Sequence, residues 1–351
     1  MSGADRPFRV GVIGTGWVAR DRHIPSFGAL PGVEVVGVYD RDRERARAVA
    51  ARFGIGLVAR DRDELLAAGL DAVSVATPPW SHAEHARAAL GAGLNVFCEK
   101  PMALDLAEAT TMAEAATASG RILTISHNFD FTRSTRMARA YLGPSPGLLF
   151  ASAVQLSSER RRLPAWYRDL PGGLLFDEVP HLLYTLRGWC GSLDLADAWA
   201  TWRPDGHPGV VEARFSGATP ARATIVFGAP VSEWHVTLVG GRRIVDLDLF
   251  RDIAVRVGSD GAHRARDIAR TSAKAMLDHG AGFAESGVAM LRGRLYWGHD
   301  ALTAAFVEAA LGQRANPVPL HDALAVVRMA DDLLAAIGAR ERASGRHTPG
   351  G

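Results

Sequence analysis

The sequence has very little cysteine. Cys98 and Cys190 are its only two among 351 residues, and neither has a Cys or His neighbour at the spacing of a zinc-binding motif. A disulfide framework and a zinc site are therefore not predicted, and we expect no metal in the functional site. Low cysteine content is typical of a reducing compartment. Because no apolar run precedes Phe8, no secretory signal is predicted, and the expected location is cytoplasmic.

An excess of charge and long hydrophobic runs are also missing. The 40 lysines and arginines nearly balance the 38 aspartates and glutamates, which leaves a net charge of only +2. This balance gives no sign of the basic surface of a nucleic-acid-binding protein. No stretch reaches the roughly 18 apolar residues that a membrane-spanning helix needs. We therefore expect neither a nucleic-acid nor a membrane partner, and the length predicts two globular domains.

Strands and helices alternate in residues 1–127, the predicted first domain. Runs of β-branched residues indicate strands, and segments that begin with Asp or Ser, which cap helix N-termini, indicate helices. The strand-like runs are Phe8–Ile13, Val33–Tyr39, Asp71–Ala76, Leu94–Cys98 and Arg121–Ser126. The helix-like segments are Asp42–Phe53, Asp61–Ala68, Ser81–Ala92 and Asp105–Ser119. The alternation is typical of an α/β fold with a doubly wound parallel sheet.

The pattern changes in residues 128–338, the predicted second domain. After one helix at about 131–142, strand-like runs follow with few helices between them. They are Leu148–Leu156, Val210–Phe215, Ala221–Phe227, Trp234–Val239 and Arg243–Leu249. Short glycine-containing turns between successive strands predict an antiparallel sheet. Helical patterns return at Asp300–Leu311 and Leu320–Ile337, and residues 339–351, rich in Arg, Gly and Ser, are predicted to be a disordered tail.

A glycine-rich turn follows the first predicted strand. Gly14, Gly16 and Ala19 match the dinucleotide-binding pattern G-x-G-x-x-G/A, in which the glycines permit a tight turn and a close approach to a pyrophosphate. The N-terminus of the helix that follows attracts the anion. Asp40 closes the second strand, where an acidic residue holds the adenine ribose. Asp40 favours NAD, whereas the neighbouring Arg41 can pair with a 2′-phosphate, so NADP is the alternative.

Three further motifs follow in order along the chain. They are Ala76–His82 at the end of the third strand, Cys98–Pro101 at the end of the fourth, and Gly172–His181 early in the second domain. Their order and spacing resemble those of the Gfo/Idh/MocA family, the glucose–fructose oxidoreductase and inositol dehydrogenase group, over nearly the whole chain. The resemblance implies a Rossmann domain followed by an α+β domain. It also implies that the second domain has an open, mostly antiparallel sheet whose free face forms a dimer or tetramer contact.

The resemblance implies an activity as well. Most family members oxidise or reduce a carbinol or ketone centre of a sugar, inositol or related ring. This chain is accordingly expected to be an NAD(P)-dependent dehydrogenase or ketoreductase for a sugar, cyclitol or sugar derivative. The predicted cofactor contacts are Gly14, Thr15, Gly16, Trp17, Val18, Asp40, Arg41, Thr77, Pro78, Trp80, His82, Glu99, Lys100 and Asn128.

Lys100, Asp177 and His181 are the predicted catalytic residues. Lys100 lies at the carboxyl end of a parallel strand, at the sheet edge where ligands bind, and a desolvated lysine can share a proton with a substrate oxygen. Asp177 and His181 are four positions apart, so a helix places them on one face; the alternative is a capping Asp and a structural His. The resemblance makes His181 the acid/base with Lys100 as its partner. Asp177 would accept a hydrogen bond from a neighbouring substrate hydroxyl.

The last motif departs from the family pattern in two places. The usual third glycine is Leu174, and Val179-Pro180 replaces the glycine before the histidine. The added bulk indicates an unusual substrate. Pro180 fits a helix that begins near Asp177, because the N–H groups of a first turn have no intrahelical partner.

A basic and aromatic segment precedes the last motif and supplies candidate substrate contacts. Arginine forks bind phosphate or carboxylate in a bidentate manner, and aromatic rings stack on a sugar or base. A nucleotide-linked sugar or a sugar phosphate would suit such a lid, whereas the alternative is a solvated basic loop. The residues concerned are Arg160, Arg161, Arg162, Trp166 and Tyr167.

Two other functions fit the same fold. A redox-neutral glycosidase, lyase or epimerase would hold NAD tightly and use it twice in each turnover. A non-catalytic nucleotide-sensing regulator would keep the fold without needing Lys100, Asp177 and His181 together. The presence of all three residues favours an enzyme.

Overall fold

The structure is a computed structural model that describes residues 6–143, 147–158, 160, 163, 165–170, 172–259, 262–292 and 297–344. Two compact units divide the chain. The first is Met1–Asn128 with Gly298–Arg328, and the second is Phe129–Trp297 with Met329–Gly351. The division after Asn128 lies one residue beyond the boundary expected from the sequence. The return of Gly298–Arg328 to the first unit differs from the expected continuous second domain.

Six parallel strands form the sheet of the first unit, in the order β3-β2-β1-β4-β5-β6. They are β1 (Phe8–Ile13), β2 (Val33–Tyr39), β3 (Leu57–Val58), β4 (Ala72–Val75), β5 (Asn95–Cys98) and β6 (Leu123–Ile125). The central strands are almost wholly buried, which is why they read as continuous apolar runs. The predicted doubly wound parallel sheet is confirmed. The strand β3 has only two residues, too few for a sequence pattern.

Five helices of the first unit follow its strands. They are α1 (Ile24–Gly28), entered through a π-helical turn at Ala19–His23, α2 (Arg43–Phe53), α3 (Arg62–Leu66), α4 (His82–Gly91) and α5 (Leu106–Ser119). Three of them begin at the aspartates expected from the sequence. Asp42, Asp61 and Asp105 each accept a hydrogen bond from the backbone N–H three residues later, a cap that stabilises a helix by about 1 kcal/mol.

Seven strands form the sheet of the second unit, in the order β13-β12-β11-β7-β10-β9-β8. They are β7 (Leu148–Ser157), β8 (Asp194–Trp202), β9 (Pro208–Ser216), β10 (Ala221–Phe227), β11 (Glu233–Gly240), β12 (Arg243–Asp248) and β13 (Ile253–Gly258). The β7–β10 pair is parallel and the other pairs are antiparallel. The open, mostly antiparallel sheet of an α+β domain is therefore confirmed.

Within Phe129–Trp297, the described part of the second unit contains three helices: α6 (Arg133–Leu142), α7 (Leu174–Cys190) and α8 (Ala265–Leu291). The expectation that α7 begins near Asp177 is wrong, because the helix begins at Leu174 and Pro180 lies inside it. Pro180 has no N–H for the Phe176 carbonyl, so one intrahelical bond is missing. The burial of nearly the whole helix supplies the packing that holds it together.

Two last helices, α9 (His299–Ala310) and α10 (Leu320–Ser344), complete the chain. Phe306 of α9 packs against Phe27 and Phe97, with ring centroids 6.1 and 5.5 Å apart, which explains why Gly298–Arg328 returns to the first unit. The predicted tail differs in part, since α10 continues through 339–344, whereas 345–351 lie outside the described residues. Among the described helices, none is long and apolar enough for a bilayer crossing.

Candidate active site

The turn after β1 has the geometry of a pyrophosphate cradle. Gly14 has a φ of +87°, and a Cβ there would lie 2.6 Å from the Ala76 carbonyl oxygen, so only glycine fits. A Cβ at Gly16 would meet no atom within 4 Å, which leaves that side of the turn open to a ligand. Trp17 is exposed and Val18 half-buried beside it. These residues fit the phosphates of a dinucleotide.

Asp40, directly after β2, locks this turn in place. The Thr15 N–H and hydroxyl donate to Oδ2 at 2.7 and 2.8 Å, while the Asp42 N–H and Arg45 Nη2 donate to Oδ1 at 2.9 and 2.7 Å. Burial raises the pKa of Asp40, but these donors outweigh it and hold the pKa below its usual value. Arg45, which the sequence reasoning missed, thus occupies the carboxylate expected to hold the ribose. Arg41 is exposed.

His82 ties together the loops after β4 and β5. Its Nδ1 lies 2.8 Å from the Pro101 carbonyl oxygen and its Nε2 2.8 Å from that of Thr77. The ring is fully buried, and burial lowers the pKa of His82. The side chain is therefore a link between two loops rather than a surface for a cofactor. Trp80, in the same loop, is exposed.

Glu99, next to Lys100 in the chain, lies in a buried ionic cluster with His23 and His299. Glu99 Oε1 lies 2.8 Å from His23 Nε2 and 3.6 Å from His299 Nε2. Its Oε2 accepts the Lys100 backbone N–H at 3.1 Å, and Ser74 Oγ lies 2.8 Å from His23 Nδ1. Burial raises the pKa of Glu99, but the two histidines outweigh it and hold the pKa well below the usual range. Glu99 is therefore a buried anion that fixes the backbone of Lys100.

His23 and His299 lie far from Glu99 along the chain, so no sequence spacing connects them with it and neither was predicted. His23, Glu99 and His299 also place three ligand-type atoms within 4.8 Å of one another. Hydrogen bonding within the cluster already accounts for that proximity.

His127, at the end of β6, is buried as well, and burial lowers the pKa of His127 to about 3. It is therefore neutral at ordinary pH.

The predicted cofactor contacts follow the carboxyl ends of β1, β2, β4, β5 and β6, which share one edge of a parallel sheet. Some expose part of their surface: Gly16, Trp17, Val18, Arg41, Thr77, Pro78, Trp80 and Lys100. The others are buried and shape the edge from beneath: Gly14, Thr15, Asp40, His82, Glu99 and Asn128.

In the second unit, α7 places Asp177 and His181 one turn apart on one face. Asp177 is half-buried, and His181 is buried with Nδ1 2.8 Å from the Tyr184 hydroxyl. The Phe129 N–H donates to the same hydroxyl at 3.2 Å. The ring centroids of Phe129 and Trp234 lie 5.0 and 4.7 Å from that of His181. Aromatic packing and one hydroxyl therefore fix the orientation of the imidazole.

Tyr184 and Trp234 were missed by the sequence reasoning. Tyr184 follows His181 by three positions on the same helix, a spacing that could have identified it. Val179, one of the bulky departures from the family pattern, is fully buried, so its bulk packs inside the unit. Gly173 precedes α7 with a φ of +61°, and a Cβ there would lie 2.2 Å from the His207 ring.

The predicted anion-binding segment is described only in part. Arg160 is exposed, and its N–H donates to Ser158 Oγ at 3.3 Å. Arg161 and Arg162 lie outside the described residues. Trp166 and Tyr167 are half-buried in a short 3₁₀-helix, Ala165–Asp169. A substrate role for these residues stays a prediction.

Parts of this sequence are similar to known oxidoreductases. A family model described as an oxidoreductase family with an NAD-binding Rossmann fold (GFO_IDH_MocA) matches residues 8–127. Inositol 2-dehydrogenase 3 of Saccharopolyspora erythraea is 40% identical over 115 residues, 33% of this chain and 34% of that protein. D-glucoside 3-dehydrogenase of Escherichia coli is 34% identical over 185 residues, 50% of this chain and 52% of that protein. The matches thus span from a third to about half of these relatives.

A solved structure extends the comparison in fold. UDP-N-acetylglucosamine 3-dehydrogenase from Acidithiobacillus ferrooxidans aligns with 94% of this chain and 98% of its own, at a TM-score of 0.75 and 20% identity. At that identity, the likeness shows the fold alone. The fold prediction is confirmed by it, and the predicted likeness to the oxidoreductase family with an NAD-binding Rossmann fold is confirmed for residues 8–127, about a third of the chain.

Proposed function

We propose that this chain, whose residues 8–127 belong to the Gfo/Idh/MocA oxidoreductase family, is an NAD(P)-dependent dehydrogenase or ketoreductase. Its substrate would be a CH–OH or ketone centre of a sugar, cyclitol or sugar derivative. The observation that carries the proposal is the sheet edge of the first unit. That edge combines a glycine turn anchored by Asp40 with Lys100 fixed by a buried carboxylate. The names of the two curated relatives refer to inositol and a glucoside.

The residues of this edge fit the cofactor. Gly14 to Val18 would hold the pyrophosphate, Asp40 the adenine ribose, and Trp80 and Lys100 the nicotinamide end. When bound, the nicotinamide supplies the hydride acceptor or donor. NAD is the proposed cofactor because Asp40 is an anion beside the turn. NADP becomes the alternative if Arg45 turns from that carboxylate to a 2′-phosphate.

His181 is the proposed acid/base, and Nε2 is the atom that exchanges the proton. The Tyr184 hydroxyl can accept a hydrogen bond from Nδ1–H, and in that tautomer Nε2 is the nitrogen that gains and loses the proton. Lys100 would stabilise the substrate oxygen, and Asp177 would accept a hydrogen bond from a neighbouring hydroxyl.

We also propose a cytoplasmic homo-oligomer, a dimer or tetramer. Both cysteines are free and buried, which suits a reducing compartment. On the face of β7 away from α7, Phe150, Val154 and Leu156 are only half-buried. Such a partly apolar open sheet face is a suitable oligomer contact.

A nucleotide and substrate assay tests the proposed function. We expect mass spectrometry or equilibrium binding to find NAD or NADP at about one per chain. A panel of inositols, glucosides, keto-sugars and nucleotide sugars should then give cofactor-dependent turnover in at least one class. Gly16→Val is the matched control, because its side chain would fill the open side of the turn. Failure of the purified protein to bind either dinucleotide would contradict the proposal, and bound NAD without net redox change would indicate a redox-neutral enzyme.

A further inference from the structure

The outer face of α8 is apolar and lacks a partner within the described chain. Only Asp278, Gly282 and Ser286 of this 27-residue helix are buried, and they form the narrow stripe that packs towards β13. Large apolar side chains point outwards instead, with 64% to 86% of their surface exposed: Met276, Leu277, Phe283, Met290 and Leu291. A soluble monomer rarely exposes a contiguous apolar surface of this kind.

The same face carries almost no charge. Between positions 275 and 291 the only acidic or basic side chains besides His279 are Asp278 and Glu285. Asp278 pairs with Arg256 at 2.6 Å and with Lys274 at 3.0 Å. Glu285 pairs with Arg133. Both carboxylates are thus engaged by this unit's own cations, and the apolar stripe would bring no unpaired carboxylate into an interface.

Two glycines of α8 have no explanation in the unit itself. A Cβ at Gly282 would lie 2.9 Å from Ile253, so that glycine allows the helix to approach β13. A Cβ at Gly280 or Gly287 would meet nothing within 4 Å. Glycine disfavours a helix interior, and neither Gly280 nor Gly287 allows α8 to approach another element of its own unit more closely. Both glycines instead form notches in the exposed face, where another helix could approach closely.

The exposed residues are arranged symmetrically along the helix. Reading outwards from the point between Phe283 and Ala284, glycine occurs at 280 and at 287. Further out, Met276-Leu277 on one side matches Met290-Leu291 on the other. In a contact between identical copies about a two-fold axis, residue i of one copy meets residue j of the other and the reverse, and this arrangement would pair apolar residues with apolar residues throughout. An antiparallel pair of these helices would place the two Met-Leu pairs opposite each other and Phe283 of each copy between the glycines of the other.

We propose that α8 docks antiparallel against α8 of a second copy of this chain, about a two-fold axis near Phe283. The five large side chains, 64% to 86% exposed, form an apolar patch on the order of several hundred Å² per copy, large enough for an interface between two copies. This contact is separate from the open sheet face and from the catalytic proposal, so it can fail or succeed independently of either.

Molar mass in solution tests the contact directly. We expect light scattering on the full chain to give an even number of copies and Phe283→Glu to halve that number. Gly280→Leu should do the same by filling a notch. Ile268→Glu is the matched control, since Ile268 is exposed on α8 but outside the symmetric stretch, and it should leave the mass unchanged. Circular dichroism and thermal unfolding confirm that each variant is folded. A single-chain mass for the unaltered protein, or an unchanged mass for Phe283→Glu, overturns the proposal.

Cross-linking tests the orientation. Cys98 and Cys190 are buried, so an added surface cysteine reports on its own position. Ala284→Cys, next to the axis, should form a disulfide-linked dimer with itself. Met276→Cys should link to Leu291→Cys in a mixture but not to itself. Self-linking of Met276→Cys would indicate parallel helices and overturn the proposal. So would co-sedimentation of a single-chain form with phosphatidylserine-containing vesicles, because the apolar face would then belong to a lipid surface.

Discussion

The two units position their candidate catalytic side chains by different physical means. In the first unit, Lys100 follows a buried carboxylate that two histidines hold as an anion. In the second, His181 is oriented by aromatic rings and one neutral hydroxyl. A buried carboxylate is strongly perturbed when one of its hydrogen-bond partners is removed, whereas aromatic packing tolerates small chemical changes. The first site should therefore respond to charge and pH through stability, and the second through the rate of proton transfer.

Removal of the proposed acid/base tests whether the second unit sets the rate of proton transfer, and it should have a larger effect than the other changes. Replacing His181 with alanine removes the acid/base, and such groups contribute about 10²- to 10⁴-fold to the rate. We expect kcat to fall by that factor in a steady-state assay, and the cavity left between Phe129 and Trp234 should lower the melting temperature as well. Tyr184→Phe should reduce kcat by a smaller factor, because the imidazole stays in place but loses the hydroxyl that orients it. A His181→Ala variant with full kcat would remove this residue from the mechanism.

A second variant tests whether Glu99 stabilises the first unit. Burial lowers the pKa of His23, so the ring is a neutral hydrogen-bond donor to Glu99. Glu99→Ala leaves that buried donor without its acceptor, which costs about 1 to 3 kcal/mol of unfolding free energy. Urea unfolding should show this loss. Glu99→Gln is the matched control, since it keeps the shape and a hydrogen-bonding oxygen and should lose less. If Glu99→Ala unfolds like the unaltered protein, the ionic description of the first unit is wrong.

The pH dependence sharpens the contrast further. Because burial lowers the pKa of His127 to about 3, the unfolded chain binds a proton there below about pH 6.5 while the folded chain does not. Its contribution to stability is therefore complete above pH 6.5 and is lost as the pH falls towards 3, by about 1.4 kcal/mol per pH unit. His127→Asn should flatten the acid side of a urea-unfolding titration by one proton. An unchanged slope would show that His127 is protonated in the folded state.

The preference for NAD over NADP should change least among these tests. Arg45 pairs with Asp40 at 2.7 Å while half of its side chain stays exposed. Arg45→Ala should free the carboxylate for a ribose and change the ratio of kcat/KM for NAD to that for NADP a few-fold in favour of NAD, since the cation near a 2′-phosphate is lost. Arg41→Ala, which alters an exposed neighbour, is the control. A shift towards NADP would reverse the assignment of the ribose site.

Local patterns explain what could be predicted from the sequence. The glycine turn, the strands of the parallel sheet and the capping aspartates each depend on residues a few positions apart, so their signals are visible in one chain. His23 and His299 join Glu99 only through the fold, and no spacing rule connects them. The helix α8 was not predicted because three glycines interrupt it and its buried stripe contains Asp278, Gly282 and Ser286, none of which reads as an apolar periodicity.

The return of α9 to the first unit limits how this protein can be divided. The segment 1–128 lacks the helix that covers Phe27 and Phe97, and it also lacks the imidazole of His299 beside Glu99. A dinucleotide-binding fragment cut at residue 128 would thus expose an aromatic surface and lose part of its ionic cluster. Recombination or fragment design that treats residues 1–128 as one continuous module would lose both groups, whereas a version that joins 298–328 to 1–128 through a linker would keep Phe306 and His299.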